Sequence, residues 1–388
     1  MTMYFWEIER IQPPWRFLQG TPIGRESYSG LSGIIRWVNS GEEMARLQGL
    51  EACGRMGIAV GGQSSLPSAI FTGELFESVV VPIIPLEPSN IGAIARFCES
   101  PQFSKAIRLI DSKVAVTTNT FGKVPFDLVH WQKVAAEKYP DGLPKPFSSD
   151  PTQWLFNGHP FGADQPLHVA VARLVGYEWP RQTGYSFPDC PALDSDRLEA
   201  LADEDGIVCL APVRGETSAV ERLRRLLATA LGKEWSAAKE REVLLATAVE
   251  NNAKKPEPDL ESWLCSAFFS EHCKLFDSRP FIWQIWDGNP HGFSVLVNYH
   301  KLAAPKGQGR KTLELLTYTY LGDWIDRQKL DQAEGVIGAD DRLASALDLQ
   351  GQLKKILEGE PPTTSLCVGS PSTNKLSAGI PISTTACG

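Results

Sequence analysis

The chain lacks most of the signals that assign a catalytic class on sight. No GxGxxG follows a strand and no GxxxxGK[ST] occurs, so neither nucleotide-binding fingerprint is present. There is no GxSxG turn for a nucleophilic serine and no HExxH for a zinc hydrolase. Six histidines, His130, His159, His168, His272, His291 and His300, show no ligand spacing. Eight cysteines are scattered without a CxxC pair and read as reduced packing thiols. The start, MTMYFWEIERIQPPW, has neither the cationic head nor the apolar core of a secretory signal. The most apolar short run, Val79–Leu86, is broken by Pro82 and Pro85 and is too short to span a bilayer. These absences predict a cytoplasmic protein with no membrane partner and no resident metal.

What is present is enough for sizeable cores. The 388 residues are 43% hydrophobic and 22% charged, a globular composition with room for two or three domains. A net charge of −8 excludes a non-specific nucleic-acid coat but leaves room for a local basic patch on an acidic body.

Periodicity predicts a mixed α+β fold. Trp6, Trp15, Phe17 and Trp37 sit among glycines in short strands and loops, and Val79–Ile84 reads as a buried strand. Pro88-Ser89-Asn90 opens a helix towards Cys98, and Pro101 opens another through Ile110. Val114–Phe126 reads as β and Leu128–Tyr139 as helix, with a Pro/Gly-rich connector over Pro140–Pro166. Leu167–Val175, Ser218–Leu231, Ala237–Val249, Leu260–Leu275, Thr312–Gln328 and Arg342–Glu358 carry helical spacing. Arg279–Trp286 and Phe293–His300 flank the turn DGNPHG and predict a hairpin. The expected segments are a mixed recognition lobe over 1–165, a helical middle over 166–258, a closing hairpin-plus-helix unit over 259–362, and a disordered tail over 363–388.

The candidate chemistry is sparse. The stretch Lys301–Lys311, KLAAPKGQGRK, follows the aromatic hairpin and carries Lys301, Lys306, Arg310 and Lys311 with no acid among them. Gly307 and Gly309 would let its backbone approach a ligand, and such a loop suits phosphate oxygens; a solvated surface loop is the alternative. Thr117, Thr118, Asn119 and Lys123 supply groups that could bond base edges or backbone, or simply form a turn. Cys265, His272 and Cys273 form an imaginable metal set, with packing side chains the better account. Glu74, Glu77 and Asp287 suggest the paired carboxylates of a carbohydrate hydrolase, though nothing fixes their separation.

Several stretches carry a resemblance. They are GIAVGGQSSLPSAIFTGELFES (Gly57–Ser78), AIARFCESPQFSKAIRLIDSKVAVTTNTFGKVPFD (Ala93–Asp127), DPTQWLFNGHP (Asp150–Pro160), QPLHVAVARLVGYEWP (Gln165–Pro180), RPFIWQIWDG with GFSVLVNYHKL, and LELLTYTYLGDWIDRQ. In this order they resemble the C-terminal, target-recognition half of large bacterial adenine-specific DNA methyltransferases. These are the type IIG restriction-modification enzymes and the methyltransferases of BREX and DISARM phage-defence systems. The resemblance implies sequence-specific binding of double-stranded DNA; the residues themselves suggest phosphate contacts from Lys301, Lys306, Arg310 and Lys311 and base contacts near Asn119 and Lys123. It implies S-adenosylmethionine and methyl transfer to adenine N6 in a catalytic half, after the base leaves the duplex. The catalytic [DNS]PP[YF] motif of that half does not occur: QPPW (Gln12–Trp15) and EPPT (Glu360–Thr363) do not fit it. This chain alone is therefore not expected to methylate. A fragment docking on a separately encoded catalytic subunit, a gene remnant and a carbohydrate hydrolase are the rival readings.

After Pro362 the composition switches to Ser, Thr, Gly and Pro. Relatives read YDIFVRWKPLHEQ there, and codons for Thr363–Gly388 can be written so that a shifted frame gives nearly that phrase. The tail is expected to be out of frame. Sequencing the gene checks this: a shifted frame should restore the phrase, and its absence in every frame rejects the idea.

Overall fold

The computed structural model describes residues 1–23, 26–41, 49–63 and 65–360. The expected disordered tail, 363–388, lies outside the described residues. The fold is α+β, with small, mainly antiparallel sheets beside many helices. Two compact units arise. One joins Met1–Asn157 to Trp179–Asp194, and the other joins Gly158–Glu178 to Ser195–Gly388. Apart from Trp179–Asp194, which joins the first unit, the described residues of the expected segments 166–258 and 259–362 lie in the second, where a strand of the former pairs with the hairpin of the latter.

In the first unit, β1 (Thr2–Tyr4), β2 (Trp15–Gln19) and β3 (Gly33–Arg36) build a sheet in the order β1-β3-β2, continued by β6 (Leu75–Phe76) running parallel to β2. Phe17 pairs with Ile34 across β2 and β3, and both are buried, as period-2 patterning requires. A second sheet holds β4 (Gly57–Gly61) between β5 (Ser68–Phe71) and β7 (Val80–Ile83). Every residue of β4 is buried, which explains a run, GIAVG, with no polar alternation.

Helices α1 (Ile91–Cys98), α2 (Pro101–Ile110), α3 (Thr118–Phe121) and α4 (Leu128–Lys138) follow. α1 packs on β4, β5 and α4. Phe97 of α1 anchors the group, its ring 5.3 Å from Phe103 and 5.3 Å from Trp131. Ser100 and Asp127 cap α2 and α4 with their side-chain oxygens. Asn90 does not cap α1; its Oδ1 accepts from Gln132 Nε2 at 3.0 Å. The expected β segment at Val114–Phe126 is instead a bridge from Ala115 to Gln63 and the short helix α3.

The connector over Pro140–Pro166 is irregular until a helix begins at Pro166, and it contributes a core stretch. Trp154, Leu155 and Phe156 are fully buried. Leu31 fixes the segment at both faces, its carbonyl accepting from Trp154 N–H and its N–H donating to Gln153 Oε1. Trp154 lies 4.8 Å from Phe17, and Trp179 donates its indole N–H to the Pro151 carbonyl at 2.8 Å. Side chains satisfy the backbone where no ladder is available.

In the second unit, α5 (Pro166–Leu174) is buried on all sides from Leu167 to Leu174. Its one guanidinium, Arg173, is neutralised by a two-pronged pair with Asp196 at 2.9 and 2.7 Å and donates to the Gly158 carbonyl. β8 (Ile207–Cys209) comes next, then α6 (Ala219–Leu231) and α7 (Ala237–Glu250). The expected helix Leu260–Leu275 breaks at Ala267 into α8 (Leu260–Ser266) and α9 (Phe268–Leu275). β9 (Ile282–Trp286) and β10 (Ser294–Asn298) form the expected hairpin, and β8 pairs with β10 to give the order β8-β10-β9.

α10 (Tyr299–Leu302), α11 (Gln308–Glu314), a π-helical segment (Leu315–Tyr320), α12 (Leu321–Ala333) and α13 (Ala339–Leu357) complete the unit. The expected single helix Thr312–Gln328 therefore changes winding twice. Ile207, Ile285, Val295 and Val297 from the sheet pack with Leu316, Leu321, Ile325, Leu349 and Leu353 from the helices.

Of the three histidines buried in this unit, His168, His272 and His300, the first two lie beside one another. His272 accepts the Ile282 N–H at Nε2 (3.2 Å) and lies 6.2 Å from the His168 ring. His168 Nε2 is 3.4 Å from Glu271 Oε2, which also accepts the Trp263 indole N–H at 2.9 Å. Burial, with His168 adding to it, holds His272 well below the usual histidine range. The folded state keeps His272 neutral, while the unfolded chain takes up a proton below pH ~6.5. Stability is therefore complete above that pH and falls as pH drops below it. Thermal unfolding should show a Tm that declines from about pH 6.5 downward. His272→Gln, which keeps an acceptor for Ile282, should flatten that decline; parallel curves would exclude His272 as its source.

Candidate functional site

The expected basic loop is mostly helical. The Asn298 side chain caps α10, its Oδ1 accepting from His300 N–H at 3.0 Å. The chain reverses through Lys306 and Gly307, with φ of 57° and 78°, and enters α11. Gly309 serves packing rather than ligand approach: a Cβ there would lie 2.0 Å from the Leu302 carbonyl oxygen. The turn is thereby pressed against the end of α10, giving the cations a rigid base.

The cations differ in what they are free to do. Lys301 is half-buried and lays its stem on Gly206, where a Cβ would sit 2.9 Å from Lys301 Cγ. Arg310 pairs with Glu314 at 2.9 Å and donates to the Leu357 carbonyl, so it braces the end of α13. Lys306 and Lys311 are exposed and form no ion pair among the described residues. Asn119 and Lys123 are also exposed, but they belong to the first unit, on and just after α3. Thr117 and Thr120 hydrogen-bond to Asp111, whose carboxyl is held below its usual range by the Thr117 and Lys113 backbone N–H groups. These threonines build the turn.

A cleft of about 440 Å3 is lined in part by Asp203, Asp205, Arg214, Glu216, Arg222, Arg225 and Tyr320. Arg222 joins Asp203 (3.0 Å) to Glu216 (3.3 Å). Tyr320, at the end of the π-helical segment, donates to Asp205 Oδ2 (3.3 Å) and Glu216 Oε1 (3.4 Å). The Arg214 guanidinium stacks on the Tyr320 ring at 4.6 Å. Burial raises Tyr320 far above its usual range, so the phenol stays a neutral donor. Burial, then Asp203, raises Glu216.

Counting Glu204 and Glu221, five carboxylates face three guanidiniums in this cleft. A phosphate would meet net negative charge there, so the cleft suits hydrogen-bond donors rather than anions. Sequence reasoning missed this cleft. Its available signal was the acidic run before Ile207 facing the arginines of α6, two blocks of opposite sign around one strand.

The remaining candidate residues have local partners. Asp287 Oδ1 and Oδ2 accept the Asn289 and Phe293 N–H groups at 3.0 and 2.8 Å, which commits the carboxylate to the hairpin turn. Glu74 bonds to Thr72 and, with Glu77, belongs to the first unit while Asp287 belongs to the second. No group of three or more His, Cys, Asp or Glu able to hold a metal occurs among the described residues. Neither a protein-family model nor a curated protein matches the chain.

Arg222 is the keystone of the cleft. Arg222→Met leaves the buried Asp203 carboxylate short of a partner and should destabilise the protein by about 3 kcal/mol in urea titration. A loss below ~0.5 kcal/mol would show that the pair is peripheral.

Proposed function

We propose that this chain is the sequence-specific DNA-binding, target-recognition portion of an N6-adenine DNA methyltransferase of a restriction-modification or phage-defence system. The observation that carries the reading is the pair of exposed lysines, Lys306 and Lys311, on a rigid helix–turn–helix anchored to a sheet. Lys301 precedes them on α10. The ordered stretches from Gly57 to Gln328 resemble the recognition half of that family and supply the expectation of a DNA partner. Phosphate contacts of this kind position a protein on a duplex without reading it. Asn119 and Lys123 in the first unit, and donor-seeking carboxylates such as Asp205, are suited to base edges.

Methyl transfer and S-adenosylmethionine belong, in this reading, to a catalytic domain carrying the [DNS]PP[YF] motif that these residues lack. Such a complex would act in the cytoplasm; no described helix is long and apolar enough to cross a membrane. One observation supports docking on a separate catalytic subunit. Leu330, Val336 and Ile337 expose 66%, 45% and 95% of their surface around the turn between α12 and α13.

Salt-titrated binding to mixed-sequence duplexes tests the proposal. Binding should weaken steeply with salt and be indifferent to S-adenosylmethionine. Lys306→Ala with Lys311→Ala should flatten the log–log salt slope by ~2. Absence of binding at low salt, or an unchanged slope in the double variant, rejects it.

A further inference from the structure

Two surface turns, one in each unit, are apolar at the tip and opposite in charge. The first is the C-terminal end of α2, where Leu109, Ile110 and Val114 are exposed, Leu109 by 80% and Val114 by 72%. The Arg108 guanidinium donates to the Lys113 and Val114 carbonyls, which brings Val114 back to the last turn of the helix. From Lys105 to Lys123 the sequence holds four basic residues and one acid. That acid, Asp111, is spent inside the turn, where its oxygens accept from the Lys113 and Thr117 N–H groups. Lys105 lies four residues before Leu109 and so on the same face of α2. Lys105, Lys113 and Lys123 are exposed and form no ion pair among the described residues.

The second turn joins α12 to α13 and exposes Leu330, Val336 and Ile337. It is held firmly. Val336 N–H donates to the Asp331 carbonyl at 2.8 Å, and Arg342 donates to the Ile337 carbonyl at 3.2 Å and to Gln328 Oε1 at 2.6 Å. From Leu330 to Asp341 the sequence holds four acids and no base. Glu334, one helical turn beyond Leu330, and Asp341 are exposed and form no ion pair among the described residues. Apolar side chains already fixed in place lose little freedom when covered, so both turns are prepared for contact.

We propose that the two turns bind each other between copies of this chain. The α12–α13 turn of one molecule packs on the α2 end of the next, with Leu330 and Ile337 against Leu109 and Val114. Glu334 and Asp341 then face Lys105 and Lys113. Charge complementarity names the occupant. A chain of net charge −8 repels its own copies in general, and the α2 end is a basic exception where an acidic turn is drawn in. Pairing of like turns is disfavoured, since two α2 ends would oppose lysines and two α12–α13 turns would oppose carboxylates. A phosphate backbone would satisfy the lysines but leave Leu109 and Val114 uncovered. The contact is head-to-tail, so each molecule keeps one free turn of either kind unless the assembly closes on itself.

The test is sedimentation velocity of the full chain from about 1 µM to about 0.2 mM, repeated as NaCl rises from about 50 to about 500 mM. The average mass should climb above the monomer with concentration and fall back with salt. Lys105→Glu with Lys113→Glu should keep the chain monomeric, because both turns are then acidic. Glu334→Lys with Asp341→Lys should do the same, because both are then basic. Mixing the two variants should restore association, since each carries the turn the other needs, and this rescue also shows that both are folded. Ile337→Ser should weaken self-association about tenfold. Lys306→Ala with Lys311→Ala should leave it unchanged, which separates this contact from the DNA-binding reading. A wild-type chain that stays monomeric across the range, as a turn reserved for a separate catalytic subunit would make it, overturns the inference. So does association that the charge reversals leave intact, or a mixture of variants no heavier than either alone. Loss of duplex binding in Lys105→Glu with Lys113→Glu, with the wild type monomeric, overturns it and assigns the α2 end to DNA.

Discussion

Asp203 is the constraint on which the second unit depends. Its backbone N–H donates to the Leu174 carbonyl at the end of α5, its Oδ1 accepts the Ile207 N–H at the start of β8, and its Oδ2 pairs with Arg222 of α6. One residue thus fixes where a buried helix ends, where a strand begins and how the next helix lies. Asn298 does the same from the other side of the sheet, joining the Val175 carbonyl, Gly206 and the first turn of α10. Such groups are buried only when nearly every bond is made, so the geometry they impose is narrow.

The cationic turn inherits its position from this network. Gly206 lets Lys301 lie on the turn that Asp203 holds, Gly309 seats α11 on α10, and Arg310 ties α11 to the end of α13. Of four clustered cations, one is therefore structural, one is partly buried and two face outward. On a chain of net charge −8, outward lysines on a rigid base are a local exception to a repulsive field, which favours site-limited over general contact with a polyanion. In the cleft of the same unit, carboxylates outnumber guanidiniums.

Hairpin β9–β10 was legible because alternation and a DGNPHG turn are local signals, and Ser218, Ser236 and Asp259 mark helix starts by the same local logic. The third strand, β8, was not legible: three residues carry no period, and they become a strand only because β10 offers an unpaired edge. The aromatic core at Trp154–Phe156 was hidden for a related reason, since its backbone bonds go to side chains and to Leu31, distant in sequence. The winding changes around Leu315–Tyr320 leave helical spacing nearly intact, so the pattern read as one helix.

The sequence by itself determined the α+β class, most helices, the hairpin and the grouping of cations at 301–311, because each rests on contacts between residues near one another in the chain. Only the tertiary structure decided that Arg310 braces while Lys306 and Lys311 face outward, and that Asp287 builds a turn. It also decided that Tyr320 and Glu216 share a cleft. A side chain's chemistry depends on which partners and how much water surround it. Those are set by elements that meet across long stretches of sequence, where local pattern carries no information.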